Sequence, residues 1–422
     1  MIAAGARLSA AALAVLLAHP AAGQWDLSGE IDLEGDYASS TADSLDAALG
    51  YRDAADGTLR VRLMAKRGWD SGWGVDLAYL VEGADGGGVA LARELHALYP
   101  DLYRDPERVA PVRLQWALVD SGQSYATQGL DRLILSHTSD HLVLRLGRQA
   151  LTWGSGLVFH PLDLFNPFAP DATYTAYKPG TDMLYGQWLF DSGADVQAVI
   201  VPRRAIDTDA ITADASSAGL KWHGFAGDDQ RLGVDLLLAQ DYGDQVLALG
   251  LSGPLGGATW SAELESTHLT DGGWRISALA NLQYAWTWGE RNVNAYLELF
   301  RNGFGVGGDG NVISELPPDL TERIARGQLF TVSREYLAGG LDLQWTPLLD
   351  LQPTLIANLD DGSVQLVGQA IYSLSQDTRI TAGFQLGIGG NGTEYGGLET
   401  DPGSGVYVAP ADQVYLRLTW YL

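Results

Sequence analysis

The sequence predicts an all-β protein, a transmembrane antiparallel β-barrel of about 18 strands, with long extracellular loops and an inward-folded constriction loop. Three observations predict it. Segments of roughly ten residues with alternating apolar and polar side chains recur along the chain. Aromatic residues gather near their ends. After the N-terminal leader, no stretch approaches the ~20 apolar residues that a helical span needs.

The ends of the chain frame the reading. Arg7 supplies a short basic region, Leu8 to Ala18 is apolar, and Ala21, Ala22 and Gly23 are small. That is the pattern of a secretory signal peptide, 1–23, cleaved near Gly23, with residues 24–422 forming the barrel. In the last segment, Val414, Leu416, Leu418, Trp420 and Leu422 share one face, opposite Gln413, Tyr415, Arg417, Thr419 and Tyr421. It is one bilayer crossing long, apolar outside and polar inside. It resembles the C-terminal sorting strand that outer-membrane proteins present to the barrel-assembly machinery, with Leu422 where that pattern has Phe.

Composition narrows the function. Of the 422 residues, 52 are Asp or Glu and 26 Lys or Arg, a formal charge of −26. Nucleic-acid binding needs the opposite sign. The chain has no cysteine, so it has neither disulfides nor thiolate metal sites. Much of the acid falls in expected loops, at Asp43, Asp46, Asp53, Asp56, Asp105, Glu107, Asp207, Asp209, Asp214, Glu399 and Asp401.

The alternation places strands near 25–38, 57–67, 72–82, 129–138, 141–149, 182–190, 194–202, 216–226, 229–241, 244–253, 257–268, 273–287, 291–302, 334–346, 350–359, 363–374, 377–388 and 412–422. Trp69 and Trp73, Trp286 and Trp288, Trp345, and Trp420 with Tyr421 suit membrane–water interfaces. A segment at 111–119 also alternates. Counting it as a span makes the strand number odd and puts long connections on both sides. Bacterial barrels have even numbers and short periplasmic turns. It is therefore read as loop structure or as the extension of a wall strand, within a long outer loop at 83–128. A short helix is expected at 89–99 and a second long outer loop at 303–333.

Residues 150–180 break the pattern. They are rich in Gly, Pro and aromatics, and by parity they form an outer connection. Yet Leu157, Val158, Phe159, Leu162, Leu164, Phe165 and Phe168 are too apolar for a free surface loop. The segment is expected to fold inward against the wall, with Trp153, Phe159, His160, Asp163, Phe165 and Phe168 as its constriction residues. Long loops inside a compact domain are usually functional.

The run RLGRQ (Arg145 to Gln149), then TWGSGLVF (Thr152 to Phe159) and the Asn-Pro-Phe of Asn166 to Phe168, resembles a stretch of the alginate-export-like and related porin-like outer-membrane families. The motif covers about forty residues and implies a channel barrel, of the 18-strand size those families have. Family members that carry anionic sugars line the pore with arginines; the acidity of this chain departs from that.

Taking the apolar faces outward assigns the pore lining. Its basic side is Arg60, Arg62, Lys66, Arg132, Arg145, Arg275, Arg379 and Arg417. Its acidic side is Glu30, Asp32, Glu34, Glu263, Glu265, Glu298 and Asp342. Strand one is acidic, and closure puts it between two basic strands, so structural cross-strand pairing competes with a pore role there. Glu263, Glu265, Glu298 and Asp342 are expected across from the arginines, setting up a transverse field. No metal spacing is present, and no cofactor is expected. Asp360-Asp361-Gly362 and Asp228-Asp229 read as turn chemistry before calcium ligands. Gly303 to Gly310 lacks the Lys of a phosphate-binding loop. His160, Asp163 and Ser155 lack a recognisable nucleophile context, so no enzyme is expected.

The chain is therefore expected in the bacterial outer membrane, among lipid and lipopolysaccharide, as a channel for passive diffusion of small hydrophilic solutes. The alternatives are a barrel enzyme acting on lipid, a hydrophobic-substrate or anionic-saccharide transport barrel, and a sheath around a partner.

Overall fold

A computed structural model describes residues 25–100, 105–165, 167–227 and 230–422. The expected signal peptide, Asn166 and Asp228-Asp229 lie outside the described residues.

The strands are β1 (Asp26–Ser39), β2 (Asp53–Gly68), β3 (Trp73–Gly86), β4 (Gln115–Ser121), β5 (Ser124–Thr138), β6 (Leu142–Gln149), β7 (Thr181–Leu189), β8 (Asp195–Val201), β9 (Ser217–Ala226), β10 (Leu232–Asp241), β11 (Asp244–Leu255), β12 (Ala258–His268), β13 (Trp274–Trp288), β14 (Arg291–Arg301), β15 (Glu335–Thr346), β16 (Leu349–Asn358), β17 (Val364–Ser373), β18 (Thr378–Ile388), β19 (Leu398–Glu399), β20 (Tyr407–Val408) and β21 (Asp412–Tyr421). All but β19 and β20 join one antiparallel sheet. It closes where β1 pairs with both β2 and β21. Eighteen strands make the wall.

β4 is the extra member. It pairs with Ser124–Gly129 at the outer end of β5, directly above the stretch Leu133–Thr138 that pairs with β6. Residues 111–119 thus extend the wall outward without crossing the membrane. The expected outer loop at 83–128 is shorter than its sequence bounds, because β3 runs on to Gly86 and β5 begins at Ser124. Those extensions read Gly-Ala-Asp-Gly and Ser-Tyr-Ala-Thr-Gln. Above the bilayer both faces meet water, so the strands pair without alternating.

Outward positions are apolar and exposed, among them Leu33, Leu146, Leu238, Leu247, Leu297 and Leu416. In water such a belt would be a large penalty; against hydrocarbon it is what a barrel needs. Trp69, Trp73, Trp188, Trp288, Trp345 and Trp420 are exposed at the strand ends that carry the short turns. They form a girdle at that interface.

The long connections all leave from the opposite end. Helix α1 (Leu45–Ala48) lies between β1 and β2. Helices α2 (Gly87–Leu98) and α3 (Pro106–Val109) lie between β3 and β4, and α4 (Pro318–Ala325) between β14 and β15. Asp56 caps α2 by accepting from the backbone N–H of Gly88 (3.0 Å) and Val89 (3.2 Å). No helix among the described residues is long and apolar enough to cross a membrane.

Candidate functional site

The interior is organised by the connection between β6 and β7, residues 150–180. It travels around the inside of the wall. Trp153 Nε1 donates to Gln197 on β8 (2.8 Å). Gly154, at φ +95°, turns the chain so that the backbone N–H and hydroxyl of Ser155 both reach Glu263 on β12. Glu298 on β14 then accepts three successive backbone N–H groups, from Leu157 (2.7 Å), Val158 (2.9 Å) and Phe159 (2.8 Å). Asn281 joins them, donating to the Ser155 carbonyl and to Glu298.

Further on, Asp171 accepts from Gln365 on β17 (3.0 Å) and, through its carbonyl, from Gln385 on β18. The Thr173 carbonyl accepts from Arg417 on β21 (3.2 Å). Tyr174 donates to Glu30 on β1 (3.0 Å) and lies under the Arg60 guanidinium at 4.1 Å. Tyr177 lies under Arg62 at 4.1 Å. Gly180 returns the chain to Asp131 on β5 (3.2 Å).

Apolar contacts divide the segment. Trp153, Leu162, Leu164 and Phe165 form one core with Met183, Val199, Val201, Leu237, Val246 and Ala248 of the wall. Val158 and Phe159 form a second with Leu279, Phe300, Tyr336, Ala338 and Ile356. The Phe159 and Phe300 rings stack with centroids 4.6 Å apart.

One side chain ties the segment to itself. The Lys178 ammonium donates to the Leu151 carbonyl (2.5 Å), the Thr152 hydroxyl (3.1 Å) and the Asp163 carboxylate. The start, middle and end of the segment meet there. Burial pushes the Asp163 carboxyl up to about 6, against the pull of Lys178. Burial and the neighbouring Lys178 charge bring His160 down to about 4, so it is neutral at pH 7. His160, Asp163 and Phe168 border a cavity of about 40 Å³ with Glu265, Phe304 and Arg323, room for a few waters and no solute.

Six of the eight basic residues singled out in the sequence are ion-paired. Arg62 binds Asp131, which also takes Arg132 at 2.8 Å. Arg60 binds Glu82 at 2.5 Å, Arg417 binds Glu34 at 2.5 Å, and Lys66 lies 3.3 Å from Asp76. Arg275 reaches Asp319 on α4 at 2.7 Å. Arg379 donates to the Tyr421 hydroxyl (3.1 Å), and Arg145 lies 5.4 Å from the Tyr185 ring centre. Among the acids, Asp32 accepts from Thr419 and Glu265 from Thr267, both at 2.6 Å. Glu263 and Glu298 lie beneath the inward segment, bonded to its backbone. This revises the expected field: two of its four acids are anchors, not bare charges on the wall. Asp342 borders a water-accessible cavity with Asp350.

Sequence reasoning missed Asp131, Lys178, Tyr174, Tyr177 and the glutamines at 197, 365 and 385. Asp131 was hidden by an irregular register: Ala78 pairs with Arg132 and Tyr79 with Leu130, so Asp131 is an inserted residue. Simple alternation puts it on the lipid side, whereas its carboxylate meets Arg62 indoors. The Ser155, His160 and Asp163 constellation does not assemble, since the serine hydroxyl goes to Glu263 and the carboxylate to Lys178. Asp360 and Asp361 serve as turn acceptors, for the N–H groups of Arg334 (2.8 Å) and Ser363 (2.8 Å). Among the described residues no group of three His, Cys, Asp or Glu is placed to hold a metal ion.

The architecture is that of a porin-type outer-membrane barrel. OccAB2 of Acinetobacter baumannii is similar in structure, with a TM-score of 0.51 and 10% identity over 94% of this chain and 98% of that one. OccAB3 of the same organism gives 0.50 and 11%, over 94% and 99%. A BenF-like porin from Pseudomonas fluorescens Pf-5 gives 0.48 and 12%, over 94% and 98%. At such identities the likeness concerns the fold. No protein-family model and no curated sequence matches the chain. None of the three carries the alginate-export name.

Proposed function

We propose that this barrel is a passive diffusion channel for small hydrophilic solutes, with residues 150–180 setting its bore. The observation that carries the reading is the docking of that segment against the inner wall, which leaves polar cavities on both sides of it. The outer cavity, about 340 Å³, is lined by Asp36, Asp56, Asp171, Gln385 and Gln413. The inner one, about 500 Å³, is lined by Asn, Gln and Asp side chains of β14 to β16. A bilayer around the apolar belt and the barrel-assembly machinery acting on β21 are the partners this reading includes.

The alternatives have less support. A greasy transport path needs free apolar side chains, and those of the segment are packed against the wall. A polyanion path needs free arginines, and most interior ones are ion-paired. A lipid-cleaving site needs a nucleophile, and Ser155 is bound to Glu263. In a planar bilayer the purified protein is expected to give discrete ohmic conductance steps. A protein that inserts and stays electrically silent would contradict the channel reading.

A further inference from the structure

Below the inward segment, the wall of β14, β15 and β16 carries two rows of polar side chains. Register sets Asn294 opposite Asp342, with Gln352 beyond, and Asn292 beside Gln344, which faces Asp350. The rows are two residues apart, ~6.6 Å along a strand, and neighbours within a row are ~4.8 Å apart. Internal bonds hold the grid in shape: Asn292 Nδ2 donates to Gln344 (2.9 Å), and Gln369 Nε2 donates to Gln352 (2.6 Å).

Two tyrosine rings rest flat on the wall nearby, Tyr296 one row above on β14, and Tyr415 on β21, level with Gln352 and Gln369 and lying across β18. A Cβ on Gly340 would fall 2.4 Å from the Tyr296 hydroxyl oxygen and 2.5 Å from its ring; one on Gly383 would fall 2.3 Å from the Tyr415 ring. The glycines are what allow the rings to lie across β15 and β18. Tyr296 is held by Thr354 (2.8 Å) and Tyr415 by Gln369 (3.4 Å), so both rings are fixed. The cations that flank this sector are already engaged: Arg417 pairs with Glu34 and lies beside the Tyr415 ring. Arg379 donates to the Tyr421 hydroxyl (3.1 Å).

We infer that this wall is a binding subsite for a neutral polyhydroxylated solute, of monosaccharide to disaccharide size. Each hydroxyl of such a solute both donates and accepts. A side-chain amide answers both needs, and a carboxylate accepts two donors. Four amides and two carboxylates in two rows match the several hydroxyls of one sugar ring. The half-buried Tyr296 ring, held above the rows, is the aromatic face nearest the apolar C–H face of the same sugar ring, whereas Tyr415 is buried beside Arg417 and stiffens the wall. The cavity volume is in the range of small-molecule sites. An anion would meet two carboxylates here and no free donor of opposite charge. The subsite deepens the channel reading and rests on it.

Two measurements separate the two claims. The first is calorimetric titration of the detergent-purified barrel with sucrose, and in parallel with ethylammonium. The second is open-channel current in a planar bilayer as sucrose is added to one side. Sucrose is expected to bind saturably and to reduce the current along the same isotherm. N294A/Q352A is expected to weaken both by at least about tenfold, and D342N/D350N by less, because the amides retain hydrogen bonds. A native heat-modifiable electrophoretic shift in each variant verifies that the barrel is intact. Sucrose binding that is indifferent to both variants, no sucrose binding, or ethylammonium binding in its place would overturn the subsite. Specific sucrose binding by a barrel that carries no current would leave the subsite standing and remove the channel.

Discussion

The two sides of the barrel interior are built on opposite principles. Along β7 to β11 the inward segment meets the wall through a dry apolar core, with Trp153 and Phe165 against Val199, Val201, Leu237 and Val246. Along β1, β2 and β21 the same segment meets it through charge and aromatic faces, with Tyr174 and Tyr177 under Arg60 and Arg62 and Tyr174 bonded to Glu30. Truncating a core Trp or Phe costs ~3–5 kcal/mol, whereas one cation–π contact contributes ~0.5–2 kcal/mol. The first side is therefore the fixed mooring. The lobe around 169–177 is the weakly held part, and it borders the outer polar cavity through Asp171.

The sharpest way to break this comparison is to remove the segment. Replacing 154–176 with a short Gly-Ser link should raise single-channel conductance severalfold while the barrel still forms; unchanged conductance would show that the bore is set elsewhere. A smaller effect follows from the anchor. E298A leaves the N–H groups of residues 157–159 without an acceptor, at about 1–3 kcal/mol for each group that stays buried. Its segment should become open to protease between 150 and 180, with noisier open-channel current. Protection equal to the native protein would remove Glu298 from the account.

The clasp gives the smallest effect and a pH signature. Asp163 in the fold titrates near 6, above its ordinary range, so the folded chain holds that proton more tightly than an unfolded one. The stability it contributes is therefore full at low pH and is lost as pH rises toward 6. His160 is depressed to about 4, so its contribution runs the other way and is lost as pH falls from about 6.5 toward 4. The two offset each other in overall stability. What remains is local: acidification through pH 6 removes the charge that Lys178 faces and should increase current fluctuations with a midpoint near 6. D163N should show the acid-pH fluctuations at pH 7.5 and lose the pH dependence.

Most of the barrel was legible because lipid outside and water inside impose a period of two on every crossing. The same comparison explains where that legibility failed. Val234-Asp235-Leu236-Leu237-Leu238-Ala239 carries apolar residues on both faces. Leu236 and Leu238 are exposed to lipid while Leu237 is buried under the segment. A strand apolar on both faces in an otherwise alternating barrel marks wall covered from within, and that signal was present in the sequence. The ion pairs were not legible. Arg62 with Asp131 depends on an inserted residue in β5, and Arg417 with Glu34 joins residues from opposite ends of the chain.

The most direct test uses the lack of cysteine in this chain, which makes any introduced thiol unique. Asn294→Cys places it on the polar wall below the segment, and Val199→Cys places it in the dry core behind Trp153. A small charged methanethiosulfonate reagent applied during bilayer recording should react with the thiol at 294 and reduce the current, and should leave the thiol at 199 unmodified. Equal, rapid modification at both positions would contradict the account, because the segment would then not be moored on that side of the wall.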